Sequence, residues 1–353
     1  MKPPKVSNKS REKKAAPLTG ETALIMALSR RFGPPPPEVV LGIGDDCAAL
    51  ALDGDRCLLW TVDTLVEGVH FDLAYASPAQ VGWKALAVNL SDIAAMGGEA
   101  RYALLSLGWA RERDKAQALE LADGLAQASR EYGVAIIGGD TVAAPQVAVT
   151  VTVTGVVAAG QMLRRAGARV GDRVYVTGPL GESAAGLEVL RRGLALEPNL
   201  TAALAQAHLQ PRPQLRAGRV LAAEGLATSA IDLSDGVATD LGHICRESGV
   251  GARILADLVP VSPRVRAAAP ALGRDPLDLA LKGGEDYQLI FTTPREKAGA
   301  LAAAFAGGGL PDPLPLGEIV SGEGVIMVTD RGEEDITGQG FDHFRIDPER
   351  EDN

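Results

Sequence analysis

The stretch LGIGDDCAAL (41–50) sets Asp45 and Asp46 side by side between glycines and an apolar run. Adjacent carboxylates repel, and a partly buried one stays ionised only beside a cation or several hydrogen-bond donors. The same context recurs along the chain. Asp63 follows the apolar CLLWTV (57–62), Asp92 lies in an apolar helical run, and Asp140 follows VAIIGG. Asp232 and Asp235 lie in AIDLSDG, and Glu285 and Asp286 in LKGGEDYQLIF. Taken singly, each fits a turn or a cap: Asp235, just before Gly236, suits capping, and Asp92 suits a salt bridge to an arginine as well as a metal. Taken together, an oxygen-rich set with few histidines suits Mg²⁺ or Ca²⁺, and Mg²⁺ commonly joins one or two carboxylates to substrate phosphates. The expectation is a phosphate site holding several Mg²⁺ ions.

Other chemistries lack their residues. There is no G-x-x-x-x-G-K-[ST] and no kinase-type glycine loop leading to V-A-I-K, so any use of ATP lies outside both systems. No G-x-S-x-G elbow is present and His70, His208, His243 and His343 are scattered, which argues against a covalent hydrolase. Cys47, Cys57 and Cys245 form no C-x-x-C and read as reduced structural thiols. Net charge is −10, although the first 14 residues carry six basic side chains against Glu12. That arm, without aromatics or apolar period, reads as a disordered solvated tail, and the acidic body as no binder of nucleic acid. No apolar run approaches the roughly 20 residues that span a bilayer, and no secretory core opens the chain, so a cytoplasmic protein without membrane contact is expected.

The elements that must position these residues alternate in type. Strand-like runs at 57–62, 102–109, 134–137 and 147–157 are interleaved with helical patterns from Pro78 and near 111–131. Glycines and arginines interrupt the pattern over 158–172, and RVYVTG (173–178) opens a second strand–helix series. The fold class is α/β with mixed sheets in two domains, with the boundary near 160: a tail over 1–18, an N-terminal domain over 19–158 and a C-terminal domain over 159–347. Gly138-Gly139-Asp140 and Gly283-Gly284-Glu285-Asp286 echo one another weakly across the halves. Ser77-Pro78 suits a helix start, and the apolar positions Val81, Trp83, Ala85, Leu86, Val88, Leu90 and Ile93 cover nearly the whole circumference, marking a buried helix around Asp92.

At these residues the sequence closely resembles the thiamine-monophosphate kinase family of the aminoimidazole-ribotide synthetase-like superfamily. The matching segments are LGIGDDCAAL (41–50), TVDTLVEGVHF (61–71), KALAVNLSDIAAMGG (84–98), IIGGDT (136–141), RRAGARVGDRVYVTGPLGESAAGL (164–187), HLQPRP (208–213), SAIDLSDGVATDLGHI (229–244), GGEDYQLIFT (283–292) and GFDHF (340–344). They occur in family order over nearly the whole chain beyond the arm. The resemblance implies an aminoimidazole-ribotide synthetase-like fold whose N-terminal domain dimerises and whose C-terminal α/β domain closes over the nucleotide. It implies ATP-dependent phosphorylation of thiamine monophosphate to thiamine diphosphate by a homodimer. It makes Asp46, Asp63, Asp92, Asp140, Asp232 and Asp235 the Mg²⁺ ligands, with Thr61 at a further metal position, and Asp46, Asp63, Asp232 and Asp235 the catalytic set. Gly139, Arg165 and Ser234 match nucleotide positions, Asp140 lying beside them, and His70, Glu285 and Phe341 match positions near the thiamine moiety. Where some relatives carry a hydroxyl residue this chain has Val62, whose side chain cannot coordinate.

The acceptor oxygen of a phosphate monoester is already largely anionic at neutral pH, its second pKa being about 6, so direct in-line transfer needs charge neutralisation more than a base. Sister activities remain alternatives. A selenophosphate synthetase is expected to carry a reactive cysteine and lysine in a glycine-rich arm, and a hydrogenase-maturation dehydratase a terminal cysteine; this chain shows neither. A silent nucleotide-binding module is the alternative outside enzymes.

Overall fold

The structure is a computed structural model and describes residues 20–344, so the basic arm lies outside the described residues. The described residues fall into two compact units, 35–341 and a smaller one formed by 20–34 with 342–344. The smaller unit holds helix α1 (Glu21–Phe32), whose first amide N–H donates to the Asp342 carboxylate at 3.4 Å.

The larger unit contains two sheets. The first is ordered β1-β2-β3-β6-β4-β5, from β1 (Val39–Leu41), β2 (Ala48–Asp53), β3 (Arg56–Val66), β4 (Glu99–Ala110), β5 (Ala135–Ala144) and β6 (Ala148–Ala158). β6 alternates buried valines with half-buried threonines, as a sheet with one covered face requires. Its covered face packs on α2 (Pro78–Ala95), which in turn meets α3 (Lys115–Tyr132). Ser77 and Gln80 close a reciprocal capping box at the start of α2, and every residue from Val81 to Ser91 is buried, as the all-round apolar pattern demands. α2 and α3 meet so closely that a Cβ at Gly124 would lie 1.8 Å from the Ala79 carbonyl oxygen.

After the segment 159–172 the second sheet is ordered β13-β12-β9-β11-β7-β10-β8. Its strands are β7 (Arg173–Val176), β8 (Ser229–Asp232), β9 (Gly251–Leu255), β10 (Leu289–Thr293), β11 (Leu314–Val320), β12 (Gly324–Thr329) and β13 (Gly332–Asp335). The helices between them are α4 (Glu182–Arg192), α5 (Pro198–Leu209), α6 (Leu215–Ala223), α7 (Val237–Ser248), α8 (Pro263–Leu272), α9 (Pro276–Lys282) and α10 (Ala298–Gly307). Two separate cores underlie the sheets, and a third joins Ala94 and Ala95 of α2 to Leu221, Phe291 and Phe305. α2 therefore belongs to both halves. Trp83 strengthens this by donating its indole N–H to the Pro211 carbonyl at 3.0 Å.

Two strands run further than the sequence pattern indicates. β3 continues to Val66, so Asp63 is a mid-strand residue, and β5 continues through Gly138-Gly139-Asp140 to Ala144. The glycines there extend a strand that pairs in parallel with β4, and a Cβ at Gly139 would come within 1.7 Å of the Leu105 carbonyl oxygen. The corresponding 283–286 stretch is a loop, so the two Gly-Gly-acidic elements are not structural counterparts. Among the described residues no helix is long and apolar enough to cross a membrane.

Candidate functional site

Three carboxylates converge where α2 meets both sheets. Oxygens of Asp46, from the β1–β2 turn, Asp92, from α2, and Asp232, from the end of β8, lie within 4.8 Å of one another. Asp63 is next to them on β3, sharing the inward face with Thr61, whose hydroxyl donates to Asp92. Burial raises these carboxyls first and neighbouring negative charge raises them further. Asp63 is pushed up to about 6 and Asp232 to about 8, each next by Asp46, and Asp92 is held well above its ordinary value, next by Asp63 and Asp232. Asp45 rises to about 7 through burial and the Asp46 charge.

Among the described residues, one cation is bonded to the group. Arg165, from the segment between the sheets, donates Nε to Asp46 Oδ1 at 3.0 Å with a second guanidinium N–H on the same oxygen, and its amide N–H donates to Asp45. Asp46 Oδ2 stays buried without a hydrogen-bond partner among the described residues. Several carboxylates facing one arginine leave negative charge uncompensated, and an orphaned buried oxygen is costly. This all-oxygen donor set fits a hard divalent cation.

Asp235 sits at the start of α7. Its amide and that of Gly236 donate to Asp240 Oδ2 at 3.1 and 3.0 Å, and ligand atoms of Asp235, Asp240 and His243 form a second group within 4.8 Å. Asp240 and His243 are residues the sequence reading passes over; their i, i+3 spacing on the helix after Asp235 is the signal that points to them. Burial, with Arg165 and Arg246 nearby, lowers His243 to about 3. Ser234 contributes its carbonyl, which accepts the Glu285 N–H at 2.7 Å. The N–H of Phe341 donates to the Asp235 carbonyl at 2.9 Å, so the half-exposed ring is held beside that turn.

Asp140 does not join the converging carboxylates. It is exposed, opposite Ser106 of β4, in the cross-strand row that includes Thr150 and Thr64. Thr64 alternates with Asp63 and so faces the other side of the sheet. Asp140 and Asp63 of one chain therefore point to opposite faces. Val62 shares that outer face, away from Thr61 and Asp63.

The last grouping centres on Glu285, in the loop before β10. The Lys84 ammonium of α2 pairs with Glu285 Oε1 at 2.7 Å and donates to the His70 carbonyl at 3.4 Å, while His208 Nδ1 lies 3.2 Å from Glu285 Oε2. Despite burial, the Lys84 charge above all brings the Glu285 carboxyl below its ordinary value, and burial with the Lys84 charge lowers His208 to about 4, which leaves that ring neutral near pH 7. His70 Nδ1 accepts the Val66 N–H at 3.1 Å, which assigns the ring proton of the neutral form to Nε2. Lys84 and His208 are the residues the sequence reading missed here, because a lysine inside an apolar helix carries no motif of its own. The three cysteines are free and buried.

Two family models match in sequence order, AIR synthase related protein, N-terminal domain, over 44–157, and AIR synthase related protein, C-terminal domain, over 169–330. They define the class as two-domain AIR synthase related proteins. A curated thiamine-monophosphate kinase from Salmonella typhimurium is 40% identical over 327 residues, covering 92% of this chain and 98% of its own. The solved structure of AaThiL complexed with AMPPCP and TMP superposes with a TM-score of 0.81 at 33% identity, covering 92% of this chain and 97% of that one. The chain belongs to the thiamine-monophosphate kinase family. Hydrogenase maturation protein HypE in complex with ATP, at 23% identity, TM-score 0.65 and coverage of 90% and 95%, shares the fold alone.

Proposed function

We propose that this chain phosphorylates thiamine monophosphate to thiamine diphosphate at the expense of ATP, the activity its family name states. The observation that carries the reading is the convergence of Asp46, Asp92 and Asp232 with an unpartnered buried oxygen, in a chain 40% identical to such a kinase. Asp46, Asp63, Asp92 and Asp232 would hold Mg²⁺ with Thr61 alongside, and Asp235 would serve a neighbouring position. Bound there, Mg²⁺ supplies charge neutralisation between two polyanions and alignment of their oxygens.

The chain's own residues do the rest by position. Thr61 of β3 holds the Asp92 carboxylate of α2 through its hydroxyl. Arg165 is placed to meet a nucleotide phosphate while remaining anchored by its amide to Asp45, and Ser234 ties the nucleotide side to the Glu285 loop. His70, Glu285 and Phe341 receive the thiamine moiety, Glu285 as a carboxylate facing a cationic ring system. No residue needs to remove a proton, since the acceptor oxygen is already anionic, and transfer is direct.

The protein acts as a homodimer. The outer face of the first sheet exposes Trp60, Val62, Tyr102 and Leu104 in adjacent rows, and Ile137 and Val142 are exposed on edge strand β5. An apolar surface of this kind suits a second copy of the chain. Gly139 and Asp140 then serve the nucleotide and metal site of that second copy, since Asp140 faces away from its own Asp63. The functional domains divide as 19–158 and 159–347, and three buried free thiols accord with a cytoplasmic setting.

The test is a coupled assay with purified protein, Mg²⁺ and ATP, comparing thiamine monophosphate with free thiamine. Stoichiometric ADP and thiamine diphosphate from the monophosphate alone is the expected result. Nucleotide binding without product would move the weight to a regulatory module.

A further inference from the structure

We propose that Lys84 is a positioning residue for the acceptor subsite, holding His70 and Glu285 in register with the carboxylate cluster; this rests on the kinase reading above. A single ammonium, 2% exposed, bonds both the His70 carbonyl and the Glu285 carboxylate. These residues come from different halves of the unit, one after β3 and the other before β10. The remaining Glu285 oxygen faces His208, whose Nδ1 also lies 3.0 Å from the Ser183 hydroxyl at the start of α4. One carboxylate oxygen is thus paired with Lys84, and the other faces the His208 ring.

The backbone around Glu285 shows why it needs such fixing. Among the described residues, Glu285 and Tyr287 are the two non-glycine positions with positive φ, at 65° and 48°. Side chains at such angles are strained, and the strain persists only where surrounding contacts over-determine it. The contacts are the Lys84 pair, the Glu285 and Tyr287 amides bonded to the Ser234 and Leu233 carbonyls, and Asp286, which accepts from the Gly181 and Ser183 amides. Without Lys84 the loop keeps its backbone bonds but loses the tie that aims Glu285.

Lys84 also sets a distance. It and Asp92 lie on the same buried helix eight residues apart, which at 1.5 Å per residue separates them by about 12 Å along one rigid rod. The group that aims Glu285 and the ligand that anchors the phosphate end are therefore carried by one element, and the separation between ring recognition and phosphate chemistry is built into α2.

The experiment compares wild type with Lys84→Met, Lys84→Arg, Glu285→Gln and the double variant Lys84→Met/Glu285→Gln. It reads KM for thiamine monophosphate, KM for ATP, kcat and thermal midpoint. Lys84→Met is expected to raise the acceptor KM about 10- to 100-fold while the ATP KM stays within about twofold. Lys84→Arg restores part of the loss, and the double variant is no worse than Glu285→Gln, because Lys84 acts through that carboxylate. Should Lys84→Met fail to fold, the double variant, which removes both charges, and Lys84→Arg carry the comparison. Equal rises in both KM values, additive losses in the double variant, or an unchanged acceptor KM would overturn the proposal while wild-type turnover left the kinase reading standing. A wild type that makes no thiamine diphosphate would overturn both.

Discussion

The carboxylate cluster at Asp46, Asp92 and Asp232 and the Lys84–Glu285–His208 group are both assembled from buried ionisable side chains, and α2 contributes to each. Burial raises the carboxyls in both, and the neighbouring charges decide the outcome. In the first, one arginine faces several carboxylates, so burial and mutual repulsion push Asp63 to about 6 and Asp232 to about 8. In the second, an ammonium and an imidazole surround one carboxylate, and Glu285 is held below its ordinary value. In the second group the carboxylate charge is matched by Lys84, while His208 Nε2 stays without a hydrogen-bond partner among the described residues. The first leaves its carboxylates in excess over Arg165, which is why we propose a cation there.

The sharpest way to break this contrast is Asp232→Asn. If the cluster is the cation site, turnover falls at least about 10²-fold, as measured by thiamine diphosphate formation at saturating Mg²⁺ and ATP. Near wild-type turnover would sink the metal assignment. Folding without metal should be spared, because the substitution removes a carboxyl whose ionisation burial and Asp46 oppose.

A second experiment asks which acidic residues belong to the cluster of their own chain. Asp140→Asn and Asp232→Asn are each expected to be nearly inactive as pure dimers. Subunits exchanged between the two should regain about a quarter of wild-type activity, since a random mixture leaves one intact composite site in half of the dimers. No recovery after verified exchange would place Asp140 in its own chain's site.

The smallest effect is the pH dependence of metal-free stability, where the two groups have opposite signs. A carboxyl whose folded pKa is raised binds its proton more tightly folded than unfolded, so stability falls as pH rises from about 4, the unfolded value, through 6 for Asp63 and 8 for Asp232. His208, lowered to about 4, behaves in the reverse sense: its contribution is lost as pH falls from about 6.5 towards 4. Thermal midpoints of metal-free protein should therefore drop between pH 5 and pH 8. The drop should be smaller in Asp232→Asn, and Mg²⁺ should offset it in wild type. An Asp232→Asn midpoint below wild type at pH 8 without metal would show that the cluster is balanced internally.

Much of this site is legible in the chain because its carboxylates interrupt apolar runs. Asp46 in its glycine turn, Asp92 in a helix apolar all round and Asp232 closing a short strand all stand out where uncompensated charge is costly, and the structure brings those three together. Lys84 interrupts the same apolar helix as Asp92, but neither it nor His208 lies in a motif that names its partner. Lys84 replaces one buried position of α2 with a long side chain whose meaning depends on Glu285, about 200 residues away in the chain. Asp140 shows the opposite failure: its glycine-flanked context resembles that of the other acids, yet the strand carries on through it and turns it to the outer face.

By itself the sequence determined the alternation of strands and helices, the burial of α2 and the excess of carboxylates over partners, because these follow from periodicity and from the cost of burying charge. Only the tertiary structure decided which carboxylates share a site and which are neutralised. Those outcomes depend on the face of a strand and on contacts between α2 and a loop of the other sheet, and neither is encoded in local spacing.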